Sequence, residues 1–204
     1  MICIPIFVPI IIILRFSGEG EIFYLQKRIG YKNQEFQIWK FATMLKDSLN
    51  MGTGSITLEN DFRVTKFGKF LRKTKINELP QLYNVIIGDI SIVGPRPMLA
   101  QDWQLYPEDI MNKIYAIKPG LTGIGSIVFR DEEALITAVS DANYHEFYED
   151  VIAPYKGALE IWYQENRSTY VDLKLILLTA IIIVFPKKKG MHDQWFSDLP
   201  ERTF

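Results

Sequence analysis

The sequence predicts a compact α+β fold that is mostly helical. Apolar residues recur at three- and four-residue spacing, as at Leu79, Leu82, Tyr83 and Ile86, and again at Trp103, Tyr106, Ile110 and Ile114. Few runs read as strands: Ile22 to Leu25, Phe36 to Met44 (a strand or short helix), Ile90 to Val93 and Ser126 to Phe129. Apolar residues also concentrate at both chain ends. The 204 residues suffice for one sizeable core, and three stretches follow: an apolar segment at 1–16, a folded body at 17–190 and a C-terminal tail at 191–204. The net charge of −1 argues against a general nucleic-acid binder. Cys3 is the sole cysteine, so no intrachain disulfide forms, and with only His145 and His192 beside it no common zinc site can be built.

Residues 1–16, MICIPIFVPIIIILRF, are apolar up to Arg15. As one helix they would rise about 24 Å, short of a hydrocarbon core of about 30 Å. Pro5 and Pro9 further disfavour an uninterrupted helix. A signal peptide would need a basic start and a small-residue cleavage site, which this stretch lacks. It reads as an interfacial or re-entrant segment, with a buried core helix as the alternative.

A turn at 17–21 leads to the first strand and to Gln26, Lys27 and Arg28. Lys40 lies in the second. Residues 46–60 are polar and glycine-bearing and read as a mobile loop. Asp61 to Thr74 carries Arg63, Lys66, Lys69, Arg72 and Lys73 interleaved with Phe67, Phe70 and Leu71, a helix with a basic face beside an aromatic one.

Lys73 to Pro97 is the densest stretch. Asn77-Glu78-Leu79-Pro80 reads as a helix start, with Asn77 as the cap, and Gly88 as the stop. After the strand at 90–93 comes Gly94-Pro95-Arg96-Pro97. Pro97 holds Arg96 out of the helical region, so its guanidinium sits on a stiff, extended backbone suited to a carboxylate or phosphate. Lys118-Pro119-Gly120-Leu121-Thr122-Gly123 reads as a glycine-rich turn, and Asp131 with Glu133 as a solvated acidic turn. Residues 101–117 and 141–170 read as helices, the second rich in Tyr and Trp. The apolar run 173–185 is too short to span a bilayer and ends at Lys187, Lys188 and Lys189, the pattern of a helix lying on an anionic leaflet.

NELPQLYNVIIGDISIVGPRP at 77–97 resembles the DELPQL…GDMS…VGPRP signature of the bacterial sugar transferases, the monotopic phosphoglycosyl transferases that begin glycan assembly on a polyprenyl carrier. The resemblance continues at Gln26 to Gly30, Lys40 to Met44, Lys118 to Gly123 and Asp172 to Lys174, in the family's order. It implies a re-entrant hairpin broken at Pro5, which this chain would enter midway, and a site on the cytoplasmic face of a bacterial inner membrane. It also implies a reaction. The first acid of the signature attacks the β-phosphate of a UDP-sugar, UMP leaves, and a polyprenyl (undecaprenyl) phosphate takes the phosphosugar with Mg2+ assisting. The partners implied are thus a UDP-sugar, polyprenyl phosphate and membrane lipids, with a homodimer left open.

Carried onto this sequence, the catalytic positions are Asn77 and Glu78, with Glu78 also the metal ligand. The substrate-binding positions are Arg96, Arg28, Lys40, Lys73, Gly94, Pro95 and Pro97. Two departures stand out. Asn77 replaces the attacking Asp, and Ala42 replaces a basic residue. A neutral amide is a poor nucleophile, and adjacent helical side chains point about 100° apart, so Glu78 does not simply take its place. Three readings stay open: a site remodelled around Glu78, direct transfer between the two substrates, or a silent relative that binds a nucleotide sugar or a partner at the membrane. A soluble nucleotide-binding protein whose apolar ends are core is a further rival.

Overall fold

The computed structural model describes residues 4–54, 56–106, 108–138, 144–185 and 190–202. About 54% of the chain is helical and its strands are few and short, which is the mostly helical α+β class that the spacing predicts. The chain divides into two compact units. One holds the residues up to Gln26 together with Ile38–Gln81, and the other Lys27–Gln37 together with the residues from Leu82 onward.

In the first unit, α1 (Ile4–Arg15) is continuous, which corrects the expectation that Pro5 and Pro9 interrupt it. Pro5 stands in the first described turn, where an N–H is not needed, and Pro9 forfeits a single bond, to the Pro5 carbonyl. Ile10 and Leu14, one turn apart, pack with Phe41 and Leu71, while Ile6, Val8, Ile12 and Ile13 are exposed. A limb preceding Pro5 lies outside the described residues. No described helix is long and apolar enough to cross a membrane.

The strands β1 (Phe23–Ile29) and β2 (Glu35–Phe41) pair in a two-stranded sheet, so the second run is a strand and not a helix. Lys32 and Asn33, both at positive φ, turn the chain between them. Phe23 stacks on Phe41 with centroids 5.6 Å apart.

The described residues of 46–60 form turns and irregular chain with a 3-10 turn at Ser48–Asn50, and the sequence reading misplaces Arg63. It is 1% exposed, not part of a basic face. Its Nη1 donates to the carbonyls of Ser48 (2.8 Å), Met51 (2.9 Å) and Gly54 (2.5 Å). Its Nη2 donates to the Ile56 carbonyl (2.6 Å) and to Thr53 Oγ1 (3.0 Å), and it pairs with Asp61 at 2.6 Å. The loop is wound around one guanidinium whose planar fork suits several carbonyls at once. The next helix, α2 (Lys66–Lys73), is capped by Thr65, whose Oγ1 accepts from the Gly68 N–H at 2.9 Å. Lys66, Lys69 and Lys73 are exposed on it, as expected. A side chain at Gly68 would strike the Thr43 carbonyl.

In the second unit, α3 (Gln81–Ile87) stops at Gly88, whose φ of 86° fits the expected glycine stop. Then β3 (Ser91–Val93) leads to α4 (Ala100–Trp103) and α5 (Glu108–Ile114). These two short helices replace the single one expected over 101–117, since Pro107 biases Tyr106 away from helix. β4 (Gly120–Thr122) lies within the stretch expected as a turn and pairs in parallel with β3, Ser91 opposite Gly120 and Val93 opposite Thr122.

The strand expected over Ser126 to Phe129 is instead α6 (Ile124–Val128). Ile124, Ile127 and Val128 recur at helical spacing and all three are buried. Then come α7 (Glu132–Thr137), α8 (Tyr144–Phe147), a π-helical turn (Tyr148–Ile152), α9 (Ala153–Asn166), α10 (Thr169–Val184) and α11 (Met191–Trp195). Of the helix expected over 141–170, Tyr144 to Asn166 is helical throughout with the π-helical turn inside it, Arg167 ends it with a ψ of 129°, and 141–143 lie outside the described residues. Ile124, Leu159, Leu175 and Leu178 form the centre of the core, joined by Trp162 and Phe196. Trp162 Nε1 donates to Asp198 at 3.1 Å, and the Tyr155 hydroxyl to the Pro200 carbonyl at 3.1 Å. The basic cluster Lys187 to Lys189 lies outside the described residues.

The Arg63 arrangement gives a stability prediction. Burial pushes the Asp61 carboxyl up, but the hydrogen bonds and charge of Arg63 outweigh it and hold the group below its usual range. That contribution is present above about pH 4 and is lost as pH falls through the folded value. Arg63→Met leaves Asp61 buried without its partner and is expected to cost about 3–5 kcal/mol in urea unfolding. Adding Asp61→Asn to that variant should recover part of the loss.

Candidate functional site

The second unit brings together five of the expected substrate-binding residues: Arg28, Gly94, Pro95, Arg96 and Pro97. Their arrangement starts with two backbones in contact. The Gly94 N–H donates to the Thr122 carbonyl and the Gly120 N–H to the Pro95 carbonyl, both at 2.9 Å. A side-chain carbon on Gly94 would lie 2.5 Å from the Lys118 carbonyl, one on Gly120 would strike the Gly94 nitrogen, and one on Gly123 would strike the Gly94 carbonyl. The two glycine-bearing motifs, far apart in sequence, are thus the two halves of one close backbone approach.

The loop that follows has its polar backbone fully used. The Arg96 N–H donates to Glu160 Oε1 at 3.3 Å. The Tyr115 hydroxyl donates to the Arg96 carbonyl at 2.7 Å and accepts from the Met98 N–H at 3.0 Å. Arg28 Nη1 donates to the Pro97 carbonyl at 3.2 Å, and the Met98 carbonyl accepts from the Ile29 N–H at 2.8 Å. Every backbone donor and acceptor from Pro95 to Met98 therefore has a protein partner, which fixes the loop without help from solvent. Arg28, expected as a phosphate contact, spends one of its donors on this loop. The half-buried Arg96 side chain donates through Nη1 to Ser126 Oγ at 3.4 Å.

Behind the loop lies a set of charges that the sequence reading missed. Lys156 and Glu160 are one turn apart on α9, and both are buried. Lys156 pairs with Glu132 at 2.5 Å, and its ammonium sits 5.0 Å from the Tyr148 ring centre and 5.1 Å from that of Phe129. Burial alone would lower the ammonium, but Glu132 and Tyr148 more than offset it, so Lys156 stays charged. Burial raises the Asp102 carboxyl against the pull of Arg28 and Lys156. Glu160 is 2% exposed, its Oε2 has no partner, and burial pushes it up to about 8 against the Arg96 amide and the charges of Lys156 and Arg96. Two charged residues four apart within an aromatic helix were the available sequence signal. Periodicity alone would place them on the solvent side.

The first unit holds the other expected residues: Lys40, Lys73, Asn77 and Glu78. Asn77 does not cap a helix. Lys75, at φ 59°, turns the chain into a 3-10 turn, Ile76–Glu78, and α3 begins only at Gln81. The expected helix N-terminus with its anion-binding amides is therefore absent at 77–80. Asn77 is buried instead, and its Oδ1 has no hydrogen-bond partner. Glu78 and Lys40 are half-buried and Lys73 is exposed. Glu78 is the carboxylate expected to hold Mg2+, and among the described residues no group of three or more His, Cys, Asp or Glu could hold a metal ion.

The sequence matches the family described as bacterial sugar transferase over residues 1–186. It is 32% identical over 189 residues to the exopolysaccharide production protein ExoY of Rhizobium meliloti, covering 86% of this chain and 75% of that one. To the uncharacterized sugar transferase EpsL of Bacillus subtilis it is 35% identical over 170 residues, covering 83% and 73%. It is also similar to the UDP-glucose:undecaprenyl-phosphate glucose-1-phosphate transferase of Xanthomonas campestris pv. campestris, 32% identical over 187 residues. That alignment spans 90% of this chain and 36% of the longer relative.

The close approach of Gly94 to Lys118 and Gly120 is directly testable. Gly94→Ala forces a carbon against backbone that cannot rotate away, and is expected to cost about 1–3 kcal/mol in urea unfolding. Amide exchange at residues 94–98 should rise along with it.

Proposed function

Because the chain belongs to the bacterial sugar transferase family, we propose that it transfers a phosphosugar from a UDP-sugar to a polyprenyl phosphate and releases UMP. The relatives named for undecaprenyl-phosphate sugar-phosphate transfer support this reading. The observation that carries it is the Arg96 loop, a cation on a backbone whose every polar group is already bonded. Such an arginine grips a diphosphate with little entropy to lose. Phosphoryl transfer asks mainly for charge neutralisation and alignment, and Arg96 supplies both. Glu78 would hold Mg2+, which when bound offsets charge gathering on the diphosphate, or would move a proton.

The reaction would take place on the cytoplasmic face of a bacterial inner membrane, with the protein seated on one leaflet. Exposed apolar side chains support this in each unit: Ile6, Val8, Ile12 and Ile13 on α1, and Leu173, Leu177, Ile183 and Val184 on α10.

A second reading is favoured by Asn77. The attacking position carries an amide, and its oxygen is buried without a partner. The chain would then be a silent relative that binds a nucleotide sugar at the membrane.

UMP release, measured over a panel of UDP-sugars with polyprenyl phosphate and Mg2+, separates the two. The chain as it stands should form no covalent adduct on residue 77 by intact-mass spectrometry. Asn77→Asp should gain a phosphosugar adduct and UMP release, because the change is nearly isosteric and restores a carboxylate. Rapid turnover by the parent that Glu78→Gln abolishes would show a site rebuilt around Glu78. No reaction by either protein with any UDP-sugar would leave the silent binding module. Arg96→Lys keeps the charge and loses the planar fork, and should weaken UDP-sugar binding about tenfold, read by calorimetry.

A further inference from the structure

Glu160 is a buried carboxyl that the reaction above does not use. One oxygen, Oε1, accepts the Arg96 N–H. The other, Oε2, is buried with no partner. A side-chain carbon at Gly125 would strike Oε1, so the carboxyl occupies the space that the missing side chain of α6 leaves open. The buried charge beside it on α9, Lys156, is paired with Glu132 and not with Glu160.

We propose that Glu160 is a positioning residue for Arg96, and that its charge state sets how strongly the Arg96 loop holds a diphosphate. The inference rests on the reading of this chain as a UDP-sugar binder. An ionised Glu160 draws the Arg96 charge to itself and sets a buried negative charge behind an anionic ligand. A neutral Glu160 keeps the accepted N–H bond and does neither.

The groups facing Glu160 come from four directions. They are Arg96 from the loop after β3, Tyr106 from the chain after α4, Tyr115 from the chain after α5, and Lys156 and Tyr163 from α9 itself. The three tyrosines are all pushed above their usual range, mainly by burial, so they stay neutral in the working pH range. Lys156 stays charged on its own pair. Glu160 is thus the member of this set that changes charge near neutrality, with a midpoint of about 8. Affinity for a diphosphate is then full below that midpoint and falls as pH rises through it.

The test uses the whole chain and its Glu160→Gln variant, which keeps the shape and an Oε1 acceptor but cannot ionise. Calorimetry with UDP-glucose and with UDP-N-acetylgalactosamine, each with Mg2+, should show the parent Kd rising about tenfold from pH 7 to pH 9, the change that one linked proton gives. Glu160→Gln should change less than twofold over the same range. A second readout needs no ligand. The 15N-detected amide signal of Arg96 should titrate with a midpoint near 8 in the parent and stay flat in Glu160→Gln. Equal pH dependence of binding in the two proteins, or an Arg96 amide that does not titrate in the parent, would overturn the inference. If neither UDP-sugar binds the parent at any pH, the proposed function falls with it. The Arg96 titration then still decides whether Glu160 and the loop are linked as described.

Discussion

The second unit turns on a contact between two backbones, Gly94 against Gly120. A parallel pair of three-residue strands is too short to persist alone. Here the bonding continues past β3, where the Gly94 N–H donates to Thr122 and the Pro95 carbonyl accepts from Gly120, and leads straight into a loop of alternating prolines. Proline removes an N–H and leaves a carbonyl to be satisfied. The two proline carbonyls are both taken up, Pro95 by Gly120 and Pro97 by Arg28, as is that of Pro119 ahead of β4, by Ser91 at 2.7 Å. The prolines reduce the freedom of the unfolded chain and limit the hydrogen bonds that the loop must find. The Arg96 side chain, on this fixed backbone, reaches Ser126 on α6.

The same packing places unusual demands on α9. Lys156 and Glu160 face inward one turn apart, and each meets its burial differently. Lys156 stays an ion because Glu132 supplies a close counter-charge and two aromatic rings line its path. Glu160 meets only an amide N–H and the more distant Arg96 and Lys156 charges, so desolvation wins and the neutral form is favoured. A single helix face thus holds one buried ion and one buried acid, with the difference set by their partners.

The sequence revealed the class of fold, the strand at 90–93, the Gly88 stop and the cluster around Arg96, because local chemistry decides those. Helical period, a glycine at positive φ and a proline after arginine all act within a few residues. It did not reveal that Gly94 and Gly120 meet, since no local pattern reports a contact 26 residues away (120 − 94). Arg63 misled for a similar reason. Its spacing matches the basic face of α2, yet the carbonyls of the preceding loop turn inward and enclose it. Ser126 to Phe129 misled because β-branched residues suit a strand locally, while burial of Ile124, Ile127 and Val128 on one side favours helix.

Asn77 is the residue where local chemistry and site chemistry diverge most. As a cap it would have spent its side-chain oxygen on a backbone N–H of the next turn. The left-handed Lys75 moves the chain into a 3-10 turn first, so that bond is not made and Oδ1 is left buried without a donor. An unpartnered buried oxygen costs about 1–3 kcal/mol. Asn84, also buried, uses its amide nitrogen to donate to the Gln37 carbonyl and to Asp89. The buried, unpartnered oxygen of Asn77 is thus a local cost that no bond of the chain offsets, at the position where the resemblance puts the attacking carboxylate.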